Sequence, residues 1–381
     1  MDRGPEQRRS EQHQSDRRES EQRRSDRREP DRRESGRRES DRRELERRKS
    51  SGKRHGRFAA VIIAGAAVLA VAGLGYAGIQ KKKAAEAASA KATAEADDSN
   101  TVTWQGKTYK YNQNLSNYLL LGVDKRTPAE TRVGKADAGQ ADALFLLSLN
   151  RKTKEMTLIS IPRDTMTDVE SFDLEGKSLG KSKDHISLSY GYGDGGAESC
   201  KLTQEAVSNL FYGLPIQGYL AMNLDGIPEL AKSVGGLTVT VPNNSLEYEY
   251  PEFSEGAEVT LTEENTETFV RSRDVDESQS AIYRMERQKA FLDAFSKRAK
   301  ECYEQNAKFA ADLFVAIKPY TVTNISEDRL MKLFQTADEG DGYTEWTVPG
   351  EGTQGLSYDE YHVDDDALHA KIMETFYQEV K

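Results

Sequence analysis

Between Val270 and Phe291 the chain reads VRSRDVDESQSAIYRMERQKAF, a stretch with five side chains able to grip one anion. Arg271 and Arg273 stand two apart, so an extended strand would point both to one face. Arg284, Arg287 and Gln288 stand at i, i+3 and i+4, so a helix would carry them on one side. A strand bearing RxR followed by a helix bearing RxxRQ would aim four guanidinium groups at one spot. Guanidinium forks match phosphate oxygens and keep their charge. Four of them together repel unless an anion neutralises them, and pyrophosphate is the natural anion. Taken alone, the same residues also read as a solvated charged surface.

Three upstream segments favour the first reading. Tyr118 to Val123 (YLLLGV) is a short apolar run that ends in Asp124. Asp142 opens a second run, DALFLLSL, and Met156 to Ile161 (MTLISI) is a third, followed by Pro162 and Arg163. Such runs read as buried strands of an α/β sheet, whose sites lie at strand ends. Neighbouring strands would bring Asp124, Asp142 and Arg163 to one rim. Two carboxylates beside a pyrophosphate suit Mg²⁺, which takes few protein oxygens and fills its shell with water and phosphate. Singly, each aspartate reads as a strand-end cap.

The elements around these strands are helical. Lys201 to Leu210 and Leu224 to Val234 space apolar residues as covering helices do. Phe291 to Leu313 continues the arginine-bearing helix, and Leu368 to Val380 closes the chain as an amphipathic helix. Thr347 to Gln354 (TVPGEGTQ) reads as a loop. No Ser-His-Asp set, zinc spacing or P-loop occurs in the sequence, so hydrolytic and nucleotide-driven routes lack support. Cys200 and Cys302 either pair or stay free.

Charge is unevenly spread. The whole chain of 381 residues carries −10, yet residues 1–57 hold 21 Arg and Lys against 14 Asp and Glu, which leaves −17 for the remainder. That balance argues against nucleic acid as a partner of the folded part. Residues 6–50 repeat a five-residue unit (EQRRS, DRREP, DRRES) with almost nothing apolar to bury, so residues 1–57 are expected to be a disordered cytoplasmic tail. Phe58 to Ile79 has no charge over 22 residues, enough for one membrane span of roughly 33 Å. Lys53, Arg54 and Arg57 precede it, which favours a cytoplasmic N-terminus and a single-pass cell-membrane protein. Gly73, Gly75 and Gly78 spell GxGxxG inside the span, where no dinucleotide can sit. Residues 80–115 read as a linker and lead-in.

LLLGVDKR, ADALFLLSLN, MTLISIPRD, VGGLTVTVP (234–242), FVRSRD and RMERQKAFL, in that order and spacing, resemble the LytR-CpsA-Psr family. The resemblance runs from about Ser116 to the end of the chain. It implies a three-layer α/β/α sandwich around a mixed sheet, with residues 116–381 forming one extracytoplasmic domain and an apolar pocket for a polyprenyl chain. It implies a Mg²⁺-dependent phosphotransferase. The substrate would be a glycopolymer of teichoic acid or capsule type on undecaprenyl pyrophosphate, the acceptor peptidoglycan, and the released product polyprenyl phosphate. On the matching positions, Asp124 and Asp142 would hold the metal. Arg163, Arg271, Arg273, Arg284, Arg287 and Gln288 would hold the pyrophosphate, Arg273 and Arg284 acting also as catalytic groups. Two positions depart from the pattern. Ala281 stands where many members carry an aspartate proposed to help deprotonate the acceptor; either Asp274 or Asp276 substitutes, Asp276 being taken as the catalytic one, or the acceptor needs little base. His185 stands where many carry a lysine. The Ala281 departure keeps a second reading open: a non-catalytic binder of polyprenyl pyrophosphate or wall polymer that regulates envelope assembly.

Overall fold

The computed structural model describes residues 101–380, apart from 127–130, 174, 327–328, 331–332, 334–342 and 357. The arginine-rich tail, the expected span and residues 80–100 of the linker lie outside the described residues. Among those described, no helix is long and apolar enough to cross a membrane.

Fifteen strands are described: β1 (Thr101–Trp104), β2 (Lys107–Tyr111), β3 (Leu115–Val123), β4 (Ala141–Asn150), β5 (Met156–Ile161), β6 (Met166–Phe172), β7 (Ser178–His185), β8 (Gly218–Asn223), β9 (Leu237–Thr240), β10 (Glu258–Leu261), β11 (Thr321–Thr323), β12 (Tyr343–Thr347), β13 (Gly350–Gln354), β14 (Asp359–Val363) and β15 (Tyr377–Glu379). The α-helices described are α1 (Leu188–Gly191), α2 (Ala197–Leu210), α3 (Gly226–Ser233), α4 (Thr266–Arg271), α5 (Ser280–Gln305), α6 (Phe309–Ile317) and α7 (Asp365–Phe376). The folded body thus begins before Ser116, because β1 and β2 form a small sheet with the C-terminal β15.

A six-stranded mixed sheet, ordered β11-β8-β3-β4-β5-β12, forms the centre. β3 pairs antiparallel with β4 and parallel with β8, and β5 pairs antiparallel with β4 and parallel with β12. The continuous apolar runs of β3 and β4 follow from burial on both faces. Alternate residues serve opposite sides. Leu119, Leu121, Leu144 and Ile159 pack with Val207 of α2 and Ile372 and Phe376 of α7. Tyr118, Leu120, Phe145 and Leu220 pack with Leu230 of α3, Phe291 and Phe295 of α5 and Leu313 of α6. Helices therefore cover both faces of a mixed sheet, as expected.

Some expected elements differ. The helix expected over Phe291 to Leu313 is two helices, α5 and α6, because the chain leaves helical geometry at Asn306. The closing helix stops at Phe376, and Tyr377–Glu379 pairs as a strand with β2. The expected loop Thr347 to Gln354 contains β13, which forms a hairpin with β14. Cys200 and Cys302 are both free thiols.

Candidate active site

The antiparallel pairing of β3, β4 and β5 puts the end of β3, the start of β4 and the end of β5 at one edge of the sheet. Asp124, Asp142 and Arg163 therefore meet at one rim, as the strand pattern predicted. A β-bulge aims Asp142. Gly122 lies opposite Ala143 and Val123 opposite Ala141, so Asp142 is the extra residue on β4 with no partner across the ladder. Bulges of this kind re-aim a side chain. Gly122 suits the close approach, since a Cβ there would stand 3.0 Å from that of Ala143.

Asp142 accepts from two arginines: Arg163 Nη1 on one oxygen, and Arg284 Nη1 at 2.8 Å on the other. Arg163 also donates from Nε to Asp164 at 3.1 Å and from Nη2 to Gln140. Asp124 accepts from the backbone N–H of Gln140 at 2.6 Å, which folds the 131–140 segment back onto the rim. Arg284 is 4% exposed. Burial pulls its guanidinium below the ordinary arginine range; Asp142 opposes that shift, while Arg163 and Arg273 add to it. Its Nε and Nη2 are buried and find no partner among the described residues. A buried donor left unmatched costs on the order of 1–3 kcal/mol. Two on one cation can receive anionic oxygen.

Two cavities meet at this rim. One is an apolar slot of about 130 Å³ between the sheet and the helices, walled by Leu120, Phe145, Leu220, Ile227, Leu230 and Phe291. The other is a polar cleft of about 720 Å³ that holds Arg163, Arg273 and Arg284. Asp124, Asp142 and Arg284 line both. Arg273 donates from Nη1 to Ser280 Oγ at 2.9 Å, which ties the loop after α4 to the first turn of α5.

The remaining predicted residues fall differently. Arg271 and Arg273 are not on a strand: Arg271 ends α4, and Ser272 turns the chain into an extended loop. The helix wins because the carbonyls of Phe269 and Ser272 are fixed by Arg287. Arg271 stands about half exposed, 3.4 Å from Glu267, at the rim of the slot rather than in the cleft. Arg287 does not face the anion site. Three residues turn a helix by about 300°, so it points roughly 60° away from Arg284. It is fully buried, with donors directed to Phe269 O (2.8 Å), Ser272 O, Ser245 Oγ and Asn243 Oδ1 (3.4 Å). Burial lowers its pKa to about 10. Gln288 lines the slot and donates to Val270 O at 3.2 Å. Asp276 is exposed on the loop that borders the cleft, and Ala281 is buried on α5. His185 also borders the cleft, its Nε2 donating to Asp359 O at 2.8 Å. Gln140 and Asp359 were missed by the sequence pattern; Asp164 stood at the end of the third strand, in SIPRD, without a role.

As to magnesium, the donor set is two carboxylates at the meeting of slot and cleft, and Asp142 already shares its oxygens with two arginines. No group of three or more His, Cys, Asp or Glu suited to a metal occurs among the described residues. That set fits a cation bound together with phosphate oxygens rather than one caged by protein alone.

Comparison with known proteins agrees with this architecture. The chain is 28% identical over 255 residues to a Bacillus licheniformis protein named polyisoprenyl-teichoic acid–peptidoglycan teichoic acid transferase TagU, covering 66% of this chain and 73% of that one. It is 27% identical over 256 residues to the Bacillus subtilis protein of the same name, covering 66% and 73%. Among solved structures, a Streptococcus agalactiae protein superposes with a TM-score of 0.54 at 19% identity, covering 68% of this chain and 86% of that one. TagT bound to LI-WTA superposes at 0.52 and 19%, covering 69% and 89%. These structures share the fold. A family model matches residues 76–375, and this chain belongs to the LytR_cpsA_psr family.

Proposed function

We propose that this protein transfers a glycopolymer carried on undecaprenyl pyrophosphate to peptidoglycan and releases polyprenyl phosphate. One observation carries the reading: an apolar slot and an arginine-lined cleft meet at Asp124, Asp142 and Arg284. A prenyl pyrophosphate has that same division into a greasy chain and a doubly charged head. The two unmatched donors of Arg284 add support, and so do the names of the TagU relatives.

The reaction is an in-line displacement at phosphorus. A hydroxyl of the acceptor glycan forms a new O–P bond at the polymer-side phosphate. The P–O bond to polyprenyl phosphate breaks, and the hydroxyl proton passes to a base. Such transfer depends chiefly on positioning and charge neutralisation. Arg163, Arg273 and Arg284 neutralise the head group. Asp276, on the loop bordering the cleft, is the carboxylate we assign to the acceptor proton. Asp124 and Asp142 would hold Mg²⁺, which supplies further neutralisation of phosphate charge when bound. A single N-terminal span with the catalytic body outside the cell belongs to the same proposal.

The experiment is transfer by the purified full chain in detergent, with prenyl-pyrophosphate-linked polymer and peptidoglycan, reading released polyprenyl phosphate. Transfer that depends on Arg163 and Arg284 is expected; an unimpaired double alanine variant would sink the assignment. Ala281, which places no carboxylate on α5 before Arg284, is the feature that favours a non-catalytic binder. Tight lipid binding with no release under any divalent cation would support that second reading.

A further inference from the structure

We infer that the β13–β14 hairpin is the seat that fixes the N-terminal end of α5, with Asp359 as a positioning residue for the arginine cleft. The inference rests on the lipid-pyrophosphate reading above and adds a residue 75 positions from Arg284 in sequence.

α5 begins without a cap of its own. Its N-cap residue, Gln279, offers no side-chain hydrogen bond to the helix, and the first turn contains no acidic residue. A helix start of this kind leaves backbone donors and positive dipole charge unanswered. Asp359 answers from another element. Its carboxylate accepts the backbone N–H of Gln279 and, at 2.9 Å, the hydroxyl of Ser278. An acidic group capping a helix start usually belongs to the same segment; here it arrives from β14.

Two further features show the seat to be fitted. Gln279 is held at φ +62°, a left-handed conformation unusual for a residue with a side chain. Its side-chain amide lies over Gly352 of β13 and donates to Thr353 O at 3.3 Å. A Cβ at position 352 would come within 1.8 Å of Gln279 Oε1. The contact therefore depends on a glycine beneath it. His185 Nε2 donates to the backbone carbonyl of Asp359 at 2.8 Å and steadies the hairpin from the other side.

What the seat positions is the cleft. Ser280, the first residue of α5, accepts from Arg273, and Arg284 lies one turn further on. A shift of the helix start moves both guanidinium groups together. Misplacement by about 1 Å can cost on the order of a hundredfold in a positioned reaction.

The test measures binding of geranylgeranyl pyrophosphate to the full chain in detergent at low temperature, beside thermal unfolding. Asp359→Ala should weaken binding at least tenfold while far-ultraviolet circular dichroism stays unchanged, and Asp359→Glu should restore part of the loss. Gly352→Ala should weaken binding severalfold by pushing the Gln279 amide aside. Adding Gln279→Gly to it should return affinity to that of Gln279→Gly alone, a non-additivity that a general loss of stability would not produce. Absence of binding by the unaltered chain would overturn the lipid-pyrophosphate reading itself. Unaltered binding with wild-type affinity in Asp359→Ala, or additive losses in the 279/352 pair, would overturn the positioning role alone.

Discussion

Arg284 donates to Asp142 Oδ2 at 2.8 Å, and the other oxygen of the same carboxylate receives Arg163. One aspartate thus holds two guanidinium groups at the place where anionic oxygen is expected. Removing the charge of a largely buried carboxylate leaves its cationic partners facing each other.

Asp142→Asn should therefore destabilise the protein by about 3 kcal/mol in the absence of anions. The sign reverses for ligand: with divalent cations chelated, inorganic pyrophosphate should bind the variant more tightly and raise its unfolding temperature by more than in the parent. Thermal unfolding with and without pyrophosphate reads both effects. Equal stabilisation of the two proteins would contradict the pairing.

Arg287→Ala and Arg287→Lys should behave alike, because neither keeps a fork that reaches Phe269 O and Ser272 O together. Each should lose about 3 kcal/mol of stability. At temperatures where the variants remain folded, pyrophosphate affinity should fall by the same factor in both, and by less than the tenfold or more expected for Arg284→Ala. A loss in Arg287→Lys as large as that in Arg284→Ala, with Arg287→Ala losing more, would restore this residue to the binding site.

Filling the slot should separate chain recognition from head-group recognition. Ile227 lies on α3 at its wall. Ile227→Trp should reduce affinity for long prenyl pyrophosphates about tenfold and leave inorganic pyrophosphate unaffected. Titration with a series of prenyl chain lengths checks this, and a uniform loss for all ligands would place the chain elsewhere.

Asp124 lines the junction with one oxygen engaged by Gln140 N–H. Asp124→Asn should raise the Mg²⁺ concentration needed for half-maximal transfer by about tenfold, the order seen when a ligand or its support is lost. An unchanged Mg²⁺ curve would remove Asp124 from the metal set.

Alkaline pH should weaken the fold through Cys200. Burial pushes its thiol up to about 12 from an ordinary value of 9. The folded state keeps the proton where the unfolded state has lost it, so this contribution is fully present below pH 9 and is lost as pH rises from 9 towards 12. Cys200→Ala should flatten the fall of unfolding temperature across that window. An equally steep fall would assign it to other groups.

The central strands were legible because burial on two faces leaves an uninterrupted apolar run, and Met156–Ile161 is a strand with the bounds read from its sequence. The helix bearing Arg284 was legible from its spacing. The RxR segment was not: two arginines with one residue between them fit a strand, yet its short helix is held by Arg287 from a helix that follows in sequence. Arg287 itself resembled an anion ligand because a side chain's type does not say which way its helix is rotated. Asp359 and Gln140 were invisible for another reason. Asp359 acts 80 residues from Gln279, and Gln140 reaches the rim through a fold-back fixed by backbone contacts. The bulge that turns out Asp142 depends on the register between two strands, which neither strand encodes by itself.

The meeting of slot and cleft at one edge of the sheet has a consequence for turnover. On the proposed reaction, breaking the P–O bond would leave the carrier on the slot side of the shared rim and the polymer on the cleft side. The spent carrier would then withdraw along the apolar slot, and the lengthened polymer would leave through the polar cleft. Accumulated carrier should then compete with fresh donor and leave acceptor occupancy untouched.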